Sequence, residues 1–235
     1  MPSARQVEIE EPARFQPDGD LYSLLREIRV STISNLNSLH RRGKLLFAEG
    51  EPARGVYILR TGRAVVSISS RAGRVVILRM VQAGDVLGLS SVLRNSLYET
   101  TVKTLEPCRT DFISRAELLE LIEKSDAATS AVLKMLSREV IELTERTRSL
   151  VLPFTASARL AKLLLDLSSE NGLGKAHITE VDKMLTHEEI AQMICSSRET
   201  VTRLLAVFSR RNLIRITSDS ILIQDREALD SIALG

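Results

Sequence analysis

From Asp126 to Leu150 the chain runs without a glycine or a proline, and one side of that run carries Thr129, Leu133, Leu136, Val140, Leu143, Thr147 and Leu150. The intervals alternate four and three, which is a heptad repeat. A continuous helix puts such positions on one stripe. Lys134, Arg138, Glu139, Glu142 and Arg146 border the stripe. Two packings are open to it: pairing with the same stripe of a second copy, or packing on the chain's own domain. The bordering charges favour a two-helix coiled coil, because charges beside an apolar seam select partner and orientation. Leu133, Leu136, Val140, Leu143 and Leu150 are then the dimer seam. Leu152-Pro153 ends the helix and marks a hinge, since proline lacks the amide that a helix interior needs.

Before this helix the apolar period is two. Ala64, Val66 and Ile68 recur at alternate positions, and Val75–Met80 divides into two alternating sets. Turn signals punctuate the region at Glu49-Gly50-Glu51-Pro52, Thr61-Gly62, Ala72-Gly73 and Ala83-Gly84-Asp85. Strand pattern returns at Thr100–Thr104 and Cys108–Ile113. Short strands at such spacing predict an antiparallel sandwich or barrel. Ser114-Arg115-Ala116-Glu117 is a capping box opening a short helix. Ahead of the strands, residues 1–20 carry Pro2, Pro12, Pro17 and Gly19 and read as an irregular arm. Leu21, Leu24, Leu25 and Ile28 then suggest a short helix. The division expected is an arm over 1–20, a β domain over 21–124, a dimerisation helix and hinge over 125–152, and a second domain over 153–235.

In that last part Ala156–Ser169 reads as helix, stopped by Asn171-Gly172. Thr186-His187-Glu188-Glu189 is another capping box. The chain breaks at Cys195-Ser196, Ser197 caps a further helix to about Arg210, and Asn212 closes it. Leu213–Thr217 and Ile221–Gln224 alternate around Ser218-Asp219-Ser220 as a hairpin. Helix, turn, helix, hairpin is the order of a winged helix-turn-helix. On the helix from Arg198, Val201, Leu204, Leu205 and Phe208 share one face, with Glu199, Thr202, Arg203 and Arg210 roughly opposite. Arginine is a bidentate donor to guanine, and glutamate accepts from the cytosine amino group. Net charge is only +2, so a nucleic-acid surface has to be a local patch.

Ser196-Ser197-Arg198-Glu199-Thr200-Val201-Thr202-Arg203, following Leu185-Thr186-His187-Glu188-Glu189-Ile190-Ala191, resembles the DNA-binding motif of the cyclic-AMP receptor protein/fumarate-nitrate regulator (CRP/FNR) superfamily of bacterial transcription regulators. The order of elements over about residues 21–225 agrees. The resemblance implies an α+β chain: an N-terminal antiparallel β-roll like that of cyclic-nucleotide-binding domains, a coiled-coil helix and a C-terminal winged helix-turn-helix. It implies that Arg198, Glu199 and Arg203 touch bases, and that Ser197, Thr200 and His187 touch phosphates. It also implies a homodimer on double-stranded DNA, reading an inverted repeat of half-sites similar to TGTGA. Transcription would change through contact with RNA polymerase or by occlusion. Cys195 stands where relatives commonly have a small turn residue.

The same resemblance places a phosphate cassette after Gly84-Asp85-Val86-Leu87-Gly88. Members that bind cyclic nucleotides have a glutamate after that second glycine for the ribose, and later an arginine before Ser or Thr for the phosphate. This chain has Leu89 and Thr100 there. The effector pocket expected is Gly84, Asp85, Gly88, Leu89, Ser90, Thr100 and Thr101, and cyclic AMP is not expected to bind in the usual manner. Arg94 is the nearest substitute cation. Two cysteines, Cys108 and Cys195, are too few for an iron–sulfur cluster and fit a reducing cytoplasm. Cys108 reads as a buried apolar residue with a redox handle as the alternative. His40, beside Arg41-Arg42, reads as a surface residue rather than a haem ligand. No cofactor or metal is expected. The signal is an unidentified small effector, or there is none.

No phosphate loop, Gly-x-Ser-x-Gly elbow or paired metal-binding histidines occur, so an enzyme is not expected. A β-roll gating a protein partner is the remaining rival. No apolar run approaches the ~18 residues of a membrane span, and residues 1–6 lack a signal peptide's apolar stretch, so a cytoplasmic protein is expected.

Overall fold

The computed structural model describes residues 35–151, 155–170, 179–182, 185–218 and 220–234. The expected arm over 1–20, the helix over 21–28, the Leu152-Pro153 hinge and the Asn171-Gly172 stop lie outside the described residues.

The N-terminal domain is two four-stranded antiparallel sheets facing each other. One has the order β1 (Asn35–His40), β8 (Cys108–Ser114), β3 (Gly55–Thr61), β6 (Val86–Leu87). The other runs β2 (Leu45–Phe47), β7 (Thr101–Thr104), β4 (Ala64–Ser69), β5 (Val75–Val81). Phe47, Val56, Ile58, Ala64, Val66 and Val102 fill the space between. Phe47 and Tyr98 stack at 3.9 Å. The Tyr98 hydroxyl donates to the Gly55 carbonyl at 2.5 Å, and burial pushes the phenol up to about 12, so it remains a donor. Gly55 is obligatory there: a Cβ would meet the Ile113 carbonyl oxygen at 2.2 Å. A one-turn helix, α1 (Leu89–Leu93), starts at Gly88, which has φ +82°.

The Ser114 capping box is formed in both directions and opens α2 (Arg115–Lys124). Next comes α3 (Asp126–Val151), the heptad helix. Its first turns bury Ala128, Ala131 and Val132 against the β-roll together with Leu118 and Leu121 of α2. Farther along, the stripe faces outward: Leu133 is 60% exposed, Val140 63% and Leu143 41%. Leu136 is half-buried and leans on the β-roll core. Thr129 also turns inward, donating to the Ile122 carbonyl at 2.9 Å.

The C-terminal domain comprises α4 (Ala156–Glu170), α5 (His187–Met193), α6 (Arg198–Arg210) and α7 (Arg226–Leu234), with a small sheet of order β10 (Ile214–Ile216), β11 (Ser220–Ile223), β9 (Thr179–Asp182). The hairpin expected from sequence is β10–β11. The third strand and α7 extend that expectation. Asp225 caps α7 by accepting from the Ala228 amide at 2.9 Å, and Leu229 seals it on the core. The core of this domain is continuous with the β-roll: Val65, Ile77 and Leu105 belong to the same buried cluster as Leu164, Ile190, Val201 and Phe208.

Candidate nucleic-acid interface

The reading unit is α5, a tight turn and α6. Thr186 accepts from the Glu189 amide at 3.2 Å, and the Glu189 carboxylate accepts from the Thr186 amide at 2.8 Å. That reciprocal pair satisfies two orphan donors and fixes where α5 starts. His187 is therefore the first helical residue, with Thr186 the cap. At the turn, Cys195 has φ +51°, a left-handed conformation that side chains with a Cβ rarely take. The Ser196 amide then bonds back to the Ala191 carbonyl at 2.9 Å.

Ser197 caps α6, accepting from the Thr200 amide at 3.2 Å. Val201, Leu205 and Phe208 are buried, at i, i+4 and i+7, with Leu204 half-buried beside them. Arg198, Glu199, Thr202, Arg203 and Arg210 are exposed on the other side. The face assigned from the periodicity is thus the solvent face, and the three base-reading candidates share it. Glu199 is held below the ordinary carboxylate range, chiefly by its own backbone amide and then by the Ser197 hydroxyl. It is an acceptor at neutral pH, as contact with a cytosine amino group requires. Of the phosphate candidates, Ser197 and Thr200 cluster at the positive end of α6, their hydroxyls 3.1 Å apart. His187 Nδ1 lies 2.9 Å from the Thr202 hydroxyl, which ties the head of α5 to the middle of α6. Thr202 is a feature of this face that sequence reasoning left without a role. The Thr217–Ser220 turn carries the wing, with the Thr217 amide donating to the Ser220 carbonyl at 2.9 Å.

Among the pocket residues expected in the β-roll, the Asp85 and Thr101 side chains bond within the domain. Gly84 and Gly88 both have positive φ. Asp85 accepts from the Gln82 amide at 2.8 Å and lies 4.0 Å from Arg79. Arg79 in turn pairs with Glu142 of α3 at 3.2 Å. Leu89 is buried at 4% exposure and packs into the core. Ser90 and Thr100 are half-buried, and the Thr101 hydroxyl accepts from the Glu49 amide at 3.0 Å. Arg94 pairs with Glu99 at 2.5 Å. Burial pushes the Glu139 carboxyl up, Arg79 opposes that, and Glu142 and Glu99 add to it. Glu139, Glu142 and Glu99 are thus near enough to act on one another's charge, with Arg79 opposing them.

His40 differs from its expected surface position. It is half-buried with Nε2 2.9 Å from the Thr110 hydroxyl, and burial, then Lys44, lowers its basicity. Cys108 is fully buried, as expected, and burial raises its thiol above the usual range. Among the described residues no cluster of three or more His, Cys, Asp or Glu is disposed to hold a metal, and no helix is long and apolar enough to cross a membrane.

Residues 39–125 match the profile of the cyclic nucleotide-binding domain, and residues 158–232 that of the Crp-like helix-turn-helix domain. A CRP-like cAMP-activated global transcriptional regulator of Mycobacterium tuberculosis is 32% identical over 80% of this chain and 84% of its own length. The chain belongs to the CRP/FNR superfamily. It is a DNA-binding transcription regulator of that superfamily. The global nitrogen regulator of Synechococcus elongatus is 27% identical over 90% of this chain and 96% of its own. Among solved structures, a CRP-family transcriptional regulator from Thermus thermophilus superposes with a TM-score of 0.71 at 25% identity, covering 84% of this chain and 97% of that one. The α5–turn–α6 unit, the reading head, lies within the residues matched by the helix-turn-helix profile, and the expected pocket, the cradle, within those matched by the cyclic nucleotide-binding profile.

Proposed function

We propose that this regulator acts in the cytoplasm as a homodimer on an inverted repeat with TGTGA-like half-sites, gated by a signal other than cyclic AMP bound in the usual manner. The observation that carries the reading is the exposed stripe of Arg198, Glu199 and Arg203 on a helix capped at Ser197. Two such helices reach successive major grooves when they stand about 34 Å apart, one helical turn. The exposure of Leu133, Val140 and Leu143 along α3 supports a two-fold contact of that stripe with its copy. A change in the β-roll or at the seam shifts the population in which both heads fit both half-sites. The regulator then acts through RNA polymerase or by occlusion.

Cyclic AMP fits the cradle poorly. The Mycobacterium tuberculosis relative is described as cAMP-activated, but this chain has Leu89 buried at the ribose position and Arg94 held by Glu99. A phosphate without its bidentate cation forfeits strong charge-assisted bonds. The same pairs, Arg79–Glu142 above all, favour a second reading in which no small effector is needed, because the cradle and α3 are already joined.

Selection of bound sites from random duplexes tests this, run with purified protein alone and again with micromolar cyclic AMP. An enriched inverted repeat, the same in both arms, is the expected result. Enrichment of no sequence refutes the DNA-reading role, and enrichment only with cyclic AMP refutes the account of the cradle.

A further inference from the structure

The last carbonyls of a helix have no partner within it and sit at the negative end of its dipole. At the end of α5 three consecutive carbonyls each meet a different arginine. Arg146 of α3 donates through Nη2 to Met193. Arg159 of α4 donates through Nε to Ile194 at 2.7 Å. Arg74, in the turn between β4 and β5, donates through Nη2 to Cys195 at 3.0 Å. These carbonyls belong to the turn that sets the angle between α5 and α6.

Arg146 differs from the other two. The same Nη2 also donates to the Ile77 carbonyl of β5 at 2.8 Å. One guanidinium on the dimer helix thus holds a strand of the β-roll and the turn of the reading head together. It is largely buried, and its Nε is enclosed with no partner among protein atoms. Beside it lies a cavity of about 20 Å³ between α3, α4 and α5, room for one water. Apolar packing backs the polar contact: Ile77 is buried in the core of the reading domain, with Met80 against the same cluster. Lys103 approaches Glu189 of α5 at 3.9 Å as a weaker second link.

From this we infer that Arg146 is a positioning residue for DNA reading: it fixes the turn of the reading head to the dimer helix and β5, and thereby sets the separation at which two recognition helices stand. The inference rests on the dimeric reading above. Its physical content is stiffness. A head held to α3 through one guanidinium nitrogen that donates to two carbonyls by charge-assisted bonds moves with α3, so the distance between heads follows from the seam. Each added base pair moves a half-site by about 3.4 Å along the axis and turns it around the helix. A stiff dimer therefore rejects altered spacers, and a loosened one accepts them.

The test uses the full-length protein and the half-sites returned by selection. Binding is measured to a single half-site and to repeats whose spacer is lengthened or shortened by one and two base pairs. Wild type is expected to lose about tenfold or more per altered spacer, a loss of about 1.4 kcal/mol. Arg146→Ala is expected to flatten that profile to within about threefold while single half-site affinity stays within about twofold. Arg146→Lys keeps the charge on a shorter, non-planar head that reaches both carbonyls less well and is expected to fall between. Arg74 is exposed, so Arg74→Ala leaves the core untouched and is expected to flatten the profile partly, deciding the matter if Arg146→Ala does not fold. A spacer peak as sharp as wild type in the folded variants overturns the inference. So does an equal loss on the single half-site, which marks damage to the head itself. Wild-type protein that binds no duplex removes the DNA-reading account and this inference together, whereas sharp peaks in all proteins remove this inference alone.

Discussion

The reading head and the sensor cradle are both assembled from side chains that sequence resemblance picks out, yet they treat their polar groups in opposite ways. On α6 the charged groups Arg198, Glu199 and Arg203 point to solvent, while the helix beneath is fixed by Ser197, Thr186 and Glu189. In the cradle, Arg79 and Asp85 are occupied by Glu142 and the Gln82 amide, while Arg94 pairs with Glu99 at the surface. A surface that keeps its donors and acceptors open is organised to meet a partner. One that pairs them internally is organised to hold its own shape. The contrast places open donors and acceptors on the recognition helix of the C-terminal domain.

The contrast breaks most visibly if the chain cannot dimerise. Leu133→Lys with Val140→Lys places charge on two residues more than half exposed and is expected to give monomers by light scattering, with loss of repeat binding of about a hundredfold or more. Dimers that persist would move the interface away from α3. Next in size, Arg203→Ala is expected to cost about 1–3 kcal/mol at its cognate base and to relax specificity there. Titration against duplexes substituted at each position reads this out, and uniform weakening on all sequences would reassign Arg203 to the phosphates.

The smallest effect is expected in the cradle. Glu139 has its folded-state carboxyl raised by burial, so above the ordinary glutamate range its ionisation opposes folding, and that penalty vanishes as pH falls below the range. Glu139→Gln is therefore expected to raise the melting temperature slightly at neutral pH and to leave it unchanged in acid. A variant less stable at neutral pH would show that the attraction to Arg79 outweighs burial.

Much of this was legible along the chain. Both capping boxes, the strands over 64–69 and 75–81, the heptad helix and the face of α6 follow from local spacing, and local hydrogen bonding decides each of them. What escaped is non-local. Strand β9 owes its existence to pairing with β11, and α7 to the contact of Leu229 with the core. Leu136 and Thr129 satisfy the heptad as well as Val140 does, but the β-roll lies beside them and not beside Val140. The period of β5 reveals alternation without saying that Ile77 packs on another domain. The Arg74, Arg146 and Arg159 clasp has no signature at all, because its acceptors are backbone carbonyls that every residue possesses. One position gave a partial signal: Asp225 is a recognisable cap for the missed helix.

The buried cluster that runs unbroken from Val65 and Ile77 to Val201 and Phe208 has a thermodynamic corollary. Linkage between two sites on one body is reciprocal, so any factor by which the β-roll alters affinity for an operator is the factor by which the operator alters the β-roll. On that footing a promoter would bias the state of the β-roll by the same factor, and occupancy of DNA would be read out in the other domain.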